Sequence, residues 1–353
     1  MEFMLEGLAF VVVALCAGTM GFAIQRGATC TVAAVEEVVQ RRGTARLMAL
    51  VEASAWVAGG LLVAHRLHWL AQLPVGYALS GWTLAGAALL GMGAFVAGAC
   101  VFGAIARLGS GDWAHAATPL GFYLGCLSVS AVFAPTAAQA LGASPVFLAA
   151  PAITVWLVAG LVAWRVATPL IEHRGALRAL TARRLWSPHT ATIVIGLAFL
   201  VMLVLAGAWA YTDVLADLAR GTVRGVGARM VLLMCLLAGA IVGGWTAGRL
   251  RFTRIRAAAL ARCLVGGVLM GWGSLLIPGG NDGLILVGMP LLWPYAWAAF
   301  ATMCLTIGGA QSLQLWLAKR TRASLGSPTR YISQWRPMKR SGSPCKSKGN
   351  PND

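Results

Sequence analysis

The eight cysteines fall at positions 16, 30, 100, 126, 235, 263, 304 and 345, with no CxxC pair and no cluster. Thiols scattered in this way form neither a local zinc or iron–sulfur signature nor a dithiol redox motif, so no metal and no cofactor is expected. Two of them follow glycine-containing interruptions. Cys30 closes Gly27-Ala28-Thr29-Cys30, and Cys100 closes Gly98-Ala99-Cys100. A short helix should start at each, with Thr29 as the expected N-cap of the first. The start of a helix offers unpaired N–H groups that favour a thiolate, or an anion held against a thiol. Gln25 and Arg26 precede the first break, and Arg26 is close enough in sequence to add positive charge. The chemistry is that of receiving a small anion. Cys30, Cys100, Gln25, Arg26 and Gly98 are its candidate residues, and the other thiols read as small core hydrophobes.

A third interruption lies at Pro278-Gly279-Gly280-Asn281-Asp282, and it belongs to an internal repeat. Gly86, Gly91, Gly93 and Gly103 recur without gaps as Gly266, Gly271, Gly273 and Gly283, 180 positions later. Each copy ends in a break followed by an apolar stretch too short to cross a bilayer. Non-helical backbone at membrane depth survives only where it lines a cavity, so Gly280, Asn281 and Asp282 join the candidate path. Glu52 stands inside an apolar run, where an ionisable residue is a candidate for a proton or gating role. Its place near the inner end also allows a structural pair.

Those residues need helices in lipid to position them. Of 353 residues, 59% are hydrophobic and 11% charged, too few charges for a soluble domain. Apolar windows of about 20 residues recur, each long enough to cross a hydrocarbon core of about 30 Å. Spans are expected at 4–24, 46–65, 78–98, 115–135, 145–165, 190–211, 226–248, 258–278 and 293–317. The fold class is therefore an all-α membrane protein of about nine transmembrane helices with short re-entrant half-helices. The net charge of +17 points to topology rather than to nucleic acid: with these spans, 24 of the 28 Lys and Arg residues fall on one side. The positive-inside rule then puts the N-terminus outside and the C-terminus in the cytoplasm. The first and second repeat copies run in opposite directions, giving two inverted-repeat halves, 1–165 and 190–320. A basic cytoplasmic linker, 166–189, joins them, and a basic, disordered cytoplasmic tail occupies 321–353.

The segments Gly21-Phe22…Gln25-Arg26-Gly27…Cys30 and Gly91-Met92-Gly93…Gly98-Ala99-Cys100-Val101-Phe102-Gly103 resemble the signature motifs of the YeeE/YedE family. Gly266-Gly267-Val268-Leu269-Met270-Gly271-Trp272-Gly273 is similar to its third motif, and the resemblance covers roughly residues 5–318. It implies a transporter of the bacterial inner membrane for a small sulfur anion, thiosulfate foremost, with a narrow central path lined by cysteines. Some relatives are linked to selenium metabolism. This chain departs from the pattern at Gly280, where the family usually has a cysteine, and at Asn281-Asp282, where it has small neutral residues. An ionised Asp282 would repel a nearby anion by about 4 kcal/mol per unit charge at about 4 Å and an effective dielectric of about 20. Two further classes are consistent with the residues: a membrane thiol or sulfurtransferase enzyme, and a non-transporting subunit that recruits a cytosolic sulfur-carrier protein. The chain has no phosphate-binding GxxxxGK[ST] run.

Overall fold

The structure is a computed structural model that describes residues 2–70, 74–133, 138–142, 151, 153, 156, 157, 160, 185–222, 225–251, 253–277 and 279–325. The linker expected at 166–189 and the tail expected from 321 lie largely outside these residues. Met1–Leu313 form one compact unit, and Gln314–Asp353 a second that is described only over the last turns of the final helix.

The described residues form mainly helices. They are α1 (Glu2–Gly27), α2 (Thr31–Arg41), α3 (Ala45–Arg66), α4 (Gly81–Ala97), α5 (Val101–Gly109) and α6 (Ala117–Phe133). After the linker come α7 (Pro188–Ala206), α8 (Tyr211–Arg220), α9 (Val226–Thr246) and α10 (Ala257–Leu276). A short α11 (Asn281–Gly283) runs into a π-helical turn, Leu284–Gly288, and α12 (Pro294–Leu325) follows. Gly76–Tyr77 pair antiparallel with Ala140–Leu141 as a minimal two-stranded ribbon.

Seven helical runs among the described residues are long and apolar enough to cross a membrane, so the chain is a multi-pass membrane protein. Nine were expected. The span expected at 145–165 lies almost wholly outside the described residues. The one at 293–317 falls in α12, which is not among the seven and carries Gln311, Gln314, Lys319, Arg320 and Arg322 in its later half. Large apolar side chains face outward, as lipid permits: Leu15 is 67% exposed and Leu305 76%.

Small residues bring the helices together, because lipid supplies no hydrophobic drive between them and close backbone approach must hold them instead. The seam between α4 and α10 is reciprocal. A methyl group on Gly93 would meet the Gly266 carbonyl oxygen at 2.5 Å, and one on Gly266 would meet the Gly93 oxygen at 2.6 Å. Gly86 and Gly273 face each other in the same way.

Among the described residues four such breaks interrupt these helices, one more than expected. Each contains a residue with positive φ: Ala28 at 48°, Gly98 at 72°, Gly207 at 83° and Gly279 at 147°. The left-handed backbone stops one helix and re-aims the chain into the next. After the breaks, extended N-caps start α2 at Cys30, α5 at Cys100, α8 at Ala210 and α11 at Gly280. Cys100 and Gly280 adopt nearly the same backbone, φ/ψ −75°/−179° and −76°/177°.

The span expected to run through 211 ends at Ala206, and the half-helix α8 was not foreseen. The expected N-cap at Thr29 is also corrected by one position. The first helical carbonyl of α2 is that of Cys30, which accepts from Ala34 N at 2.9 Å, while Thr29 N still bonds back to Ile24 O.

Candidate functional site

The first three half-helices and the α11 turn meet in the interior. Cys30 and Cys100 form the tier nearest the first two. The Cys100 thiol donates to Cys30 Sγ across 3.6 Å, and Cys100 Sγ accepts the Thr31 N–H at 3.2 Å. A sulfur thus accepts a hydrogen bond that a helix N-terminus would otherwise offer to an anion. Gly103, one turn beyond Cys100, leaves the room that Cys30 uses, since any side chain there would run into Cys30 Sγ. Asn281 reaches across from α11. Its Nδ2 donates to Thr31 Oγ1 at 3.3 Å, and its Oδ1 is buried without a hydrogen bond among the described residues.

The second tier joins α8 to α11. Asp282, 2% exposed, accepts from the Thr212 hydroxyl through Oδ1 and from the Thr212 N–H through Oδ2 at 3.4 Å. The Gly283 N–H adds a bond to Oδ1 at 3.1 Å. This carboxylate caps a helix whose own N-cap, Ala210, has no side-chain oxygen to do so. Gly280 must lack a side chain here. A Cβ on it would collide with Thr212 Oγ1 and come within 2.7 Å of Asp282 Oδ1. Tyr211 ties the tiers together by donating from its hydroxyl to Val101 O at 2.8 Å. The π-helical turn after α11 is fixed by Ser54, whose hydroxyl donates to Ile285 O at 2.7 Å. Buried backbone outside regular α-helix needs such partners.

Cys30, Cys100, Gly280, Asn281 and Asp282 are therefore brought together. Gly98 lies just outside, its carbonyl accepting from Arg107 Nη2 at 3.4 Å and its left-handed backbone setting the direction of α5. Gln25 and Arg26 turn elsewhere. Gln25 Nε2 donates to Ser110 Oγ at 3.3 Å, beyond the far end of α5. Arg26 Nη2 donates to Thr246 Oγ1 at 2.9 Å, and its guanidinium lies 5.0 Å from the Phe22 ring centre. Both residues are buried, and these contacts brace the first break against α5 and α9.

A cleft reaches Cys30 between the first break and the starts of α3 and α7. Ala28, Thr29, Arg46, Leu50, Pro188 and Thr192 line it, and its volume of about 10 Å³ is that of a single water. Glu52 stands beside it on α3, bound to His189 Nδ1 of α7 and to Trp56 Nε1 at 3.4 Å. This pair clips α3 to α7 at the cleft. No group of three or more His, Cys, Asp or Glu able to hold a metal occurs among the described residues.

Sequence reasoning missed Thr31, Tyr211, Thr212 and His189. The first three lie at a break that the 180-residue spacing reaches: extended backward, it aligns Gly27-Ala28-Thr29-Cys30-Thr31-Val32 with Gly207-Ala208-Trp209-Ala210-Tyr211-Thr212. His189 has no such marker.

A family model described as sulphur transport matches residues 26–309 of the chain. No curated protein matches it.

Proposed function

Since the chain belongs to the sulphur-transport family, the YeeE/YedE proteins, we propose that it carries a small sulfur-containing anion, thiosulfate foremost, inward across the bacterial inner membrane. The observation that carries this reading is the juxtaposition of Cys30 Sγ, Cys100 Sγ and the Thr31 amide at the start of α2. An anion leaving water loses hydration worth many kcal/mol, and a site at membrane depth must replace it with fixed donors. Here the donors are two thiols and a helix N-terminus. A thiol is a weak donor suited to a soft, polarizable sulfur atom, while amide N–H groups suit the oxygens. Asn281 brings a further buried polar atom to the same place. The cleft, with room for about one water, cannot hold thiosulfate, so passage requires α2, α3 or α7 to shift. The Glu52–His189 clip stands where such a shift would be resisted.

The two halves are read as an inverted repeat around this path. Three features support that reading: the reciprocal Gly93–Gly266 and Gly86–Gly273 contacts, the breaks recurring about 180 residues apart, and the matching N-caps at Cys100 and Gly280. A two-fold relation requires reciprocity of that kind. The N-terminus is outside and the C-terminus cytoplasmic in this reading, by the distribution of Lys and Arg.

Uptake of labelled thiosulfate into proteoliposomes, with sulfate and selenite as competitors, tests the function. Saturable thiosulfate uptake that excess sulfate does not abolish is the expected result. Equal competition by sulfate would remove the soft sulfur atom from the recognition.

A further inference from the structure

We propose that Asp213 and Asp282 form a proton-carrying pair in the second half of the path, so that anion uptake is coupled to proton entry. The inference rests on the transport and two-half readings above. Positions 180 residues apart can be compared one by one. Glu37 of α2 pairs with Arg46 at the start of α3 at 3.6 Å. Its counterpart, Asp217 of α8, pairs with Arg229 of α9 at 2.8 Å. The same brace, half-helix to neighbouring span, occurs in both halves, and Asp217 is accounted for as structure. Asp213 and Asp282 are different. Their counterparts are Ala33 and Phe102, so these two acids occur in one half only.

Ionisable groups at membrane depth are costly and rarely persist without a use. The two carboxyls flank one turn. Asp282 bonds to Thr212 and to the Gly283 amide, and Asp213 Oδ2 lies 4.0 Å from where a side chain on Gly283 would begin. Positions 213 and 217 are one helical turn apart on α8, so they share a face. The acids therefore descend from Asp217, whose side chain is 25% exposed, through Asp213 to Asp282, which is 2% exposed. The other charged or titratable groups around Asp213 are Arg220, Arg229, Cys126 of α6 and Tyr295 of α12. Tyr211 stands beside Asp282, with Cys100 beyond it.

Two ionised carboxylates here repel each other and any incoming anion. Protons taken from the outer aqueous phase convert them to neutral carboxylic acids. A neutral Asp282 no longer holds the Thr212 N–H as an anion does, and that donor becomes free for the substrate. When the anion leaves to the inside, the acids release their protons to the inner water and return to carboxylates. Two protons balance the charge of one divalent anion.

The test uses proteoliposomes loaded with a pH-sensitive dye and given external thiosulfate. The unsubstituted protein should acidify the lumen in step with uptake, and an acid-outside gradient should accelerate that uptake. Asp282→Asn keeps the shape and an acceptor for Thr212, and Asp213→Asn leaves the Asp282 cap intact. In each, uptake should lose its response to the gradient, and in the double variant lumen acidification should vanish. Uptake by the unsubstituted protein without acidification, or acidification that survives in the double variant, would overturn the pair. No uptake by the unsubstituted protein would instead remove the transport reading, and the coupling with it.

Discussion

Cys100 caps the helix that Cys30 begins: its sulfur lies 3.6 Å from Cys30 Sγ and accepts the amide proton of Thr31 at 3.2 Å. The two thiols nevertheless differ in access. Cys30 lines the cleft, whereas Cys100 is 1% exposed behind it. A small neutral thiol reagent should therefore modify Cys30 well before Cys100, and thiosulfate should slow the reaction at Cys30. Peptide mass spectrometry over a time course reads the order. Cys100 reacting first would show that the cleft is not the way in.

Restoring the family's cysteine at position 280 should not help this chain. A Cβ there collides with Thr212 Oγ1 and crowds Asp282 Oδ1, so Gly280→Cys forces the α8–α11 cap apart. Overpacking of this kind costs about 1–3 kcal/mol. The variant should melt lower than the parent in detergent and take up less thiosulfate. A stable and faster Gly280→Cys protein would mean that the Thr212–Asp282 pair is not fixed as described.

The α4–α10 seam makes a similar prediction away from the path. Gly93→Ala places a methyl group 2.5 Å from the Gly266 carbonyl, a backbone atom that cannot swing aside. Gly309→Ala on α12 meets nothing within 4 Å. The first should lower the melting temperature clearly, by the same overpacking cost of about 1–3 kcal/mol. The second should leave it unchanged or slightly raised, because alanine favours helix over glycine by about 1 kcal/mol. Thermal unfolding of the two side by side decides whether the seam is as tight as its geometry.

Most helices could be read from apolar length alone, and the breaks at Cys30, Cys100 and Gly280 could be read from glycine placement. The break at Gly207 has no local mark, because Gly207-Ala208-Trp209-Ala210 ends an apolar run without a polar interruption, and only the 180-residue spacing from Gly27 points to it. The partners of the candidate residues were harder. Arg26 is adjacent in sequence to the first break, yet its guanidinium extends to Thr246, 220 positions away. Thr212 and Asp282 are 70 positions apart, and nothing local to either announces the other. Sequence periodicity reports which face a residue shares with its own helix, not which distant helix arrives opposite.

The orientation proposed above rests on the basic residues, 24 of 28 of which fall on one side of the expected spans. A reporter fused after residue 320 should behave as cytoplasmic, and one fused ahead of α1 as periplasmic. Periplasmic activity of the C-terminal fusion would contradict the proposed orientation and the odd number of crossings expected with it.

The thiol path is tested most directly by thiosulfate uptake through Cys100→Ala, measured beside the parent and Cys126→Ala in the same proteoliposomes. Cys126 is buried, its thiol donating to Gly271 O on α10 rather than to the Cys30–Cys100 tier, and its variant should transport nearly as the parent does. Loss of a hydrogen bond to a charged ligand is worth about 1.5–3 kcal/mol, so Cys100→Ala should lower uptake by about tenfold or more while the protein stays folded. Uptake by a folded Cys100→Ala protein at the parent's rate would contradict a path that runs between Cys30 and Cys100.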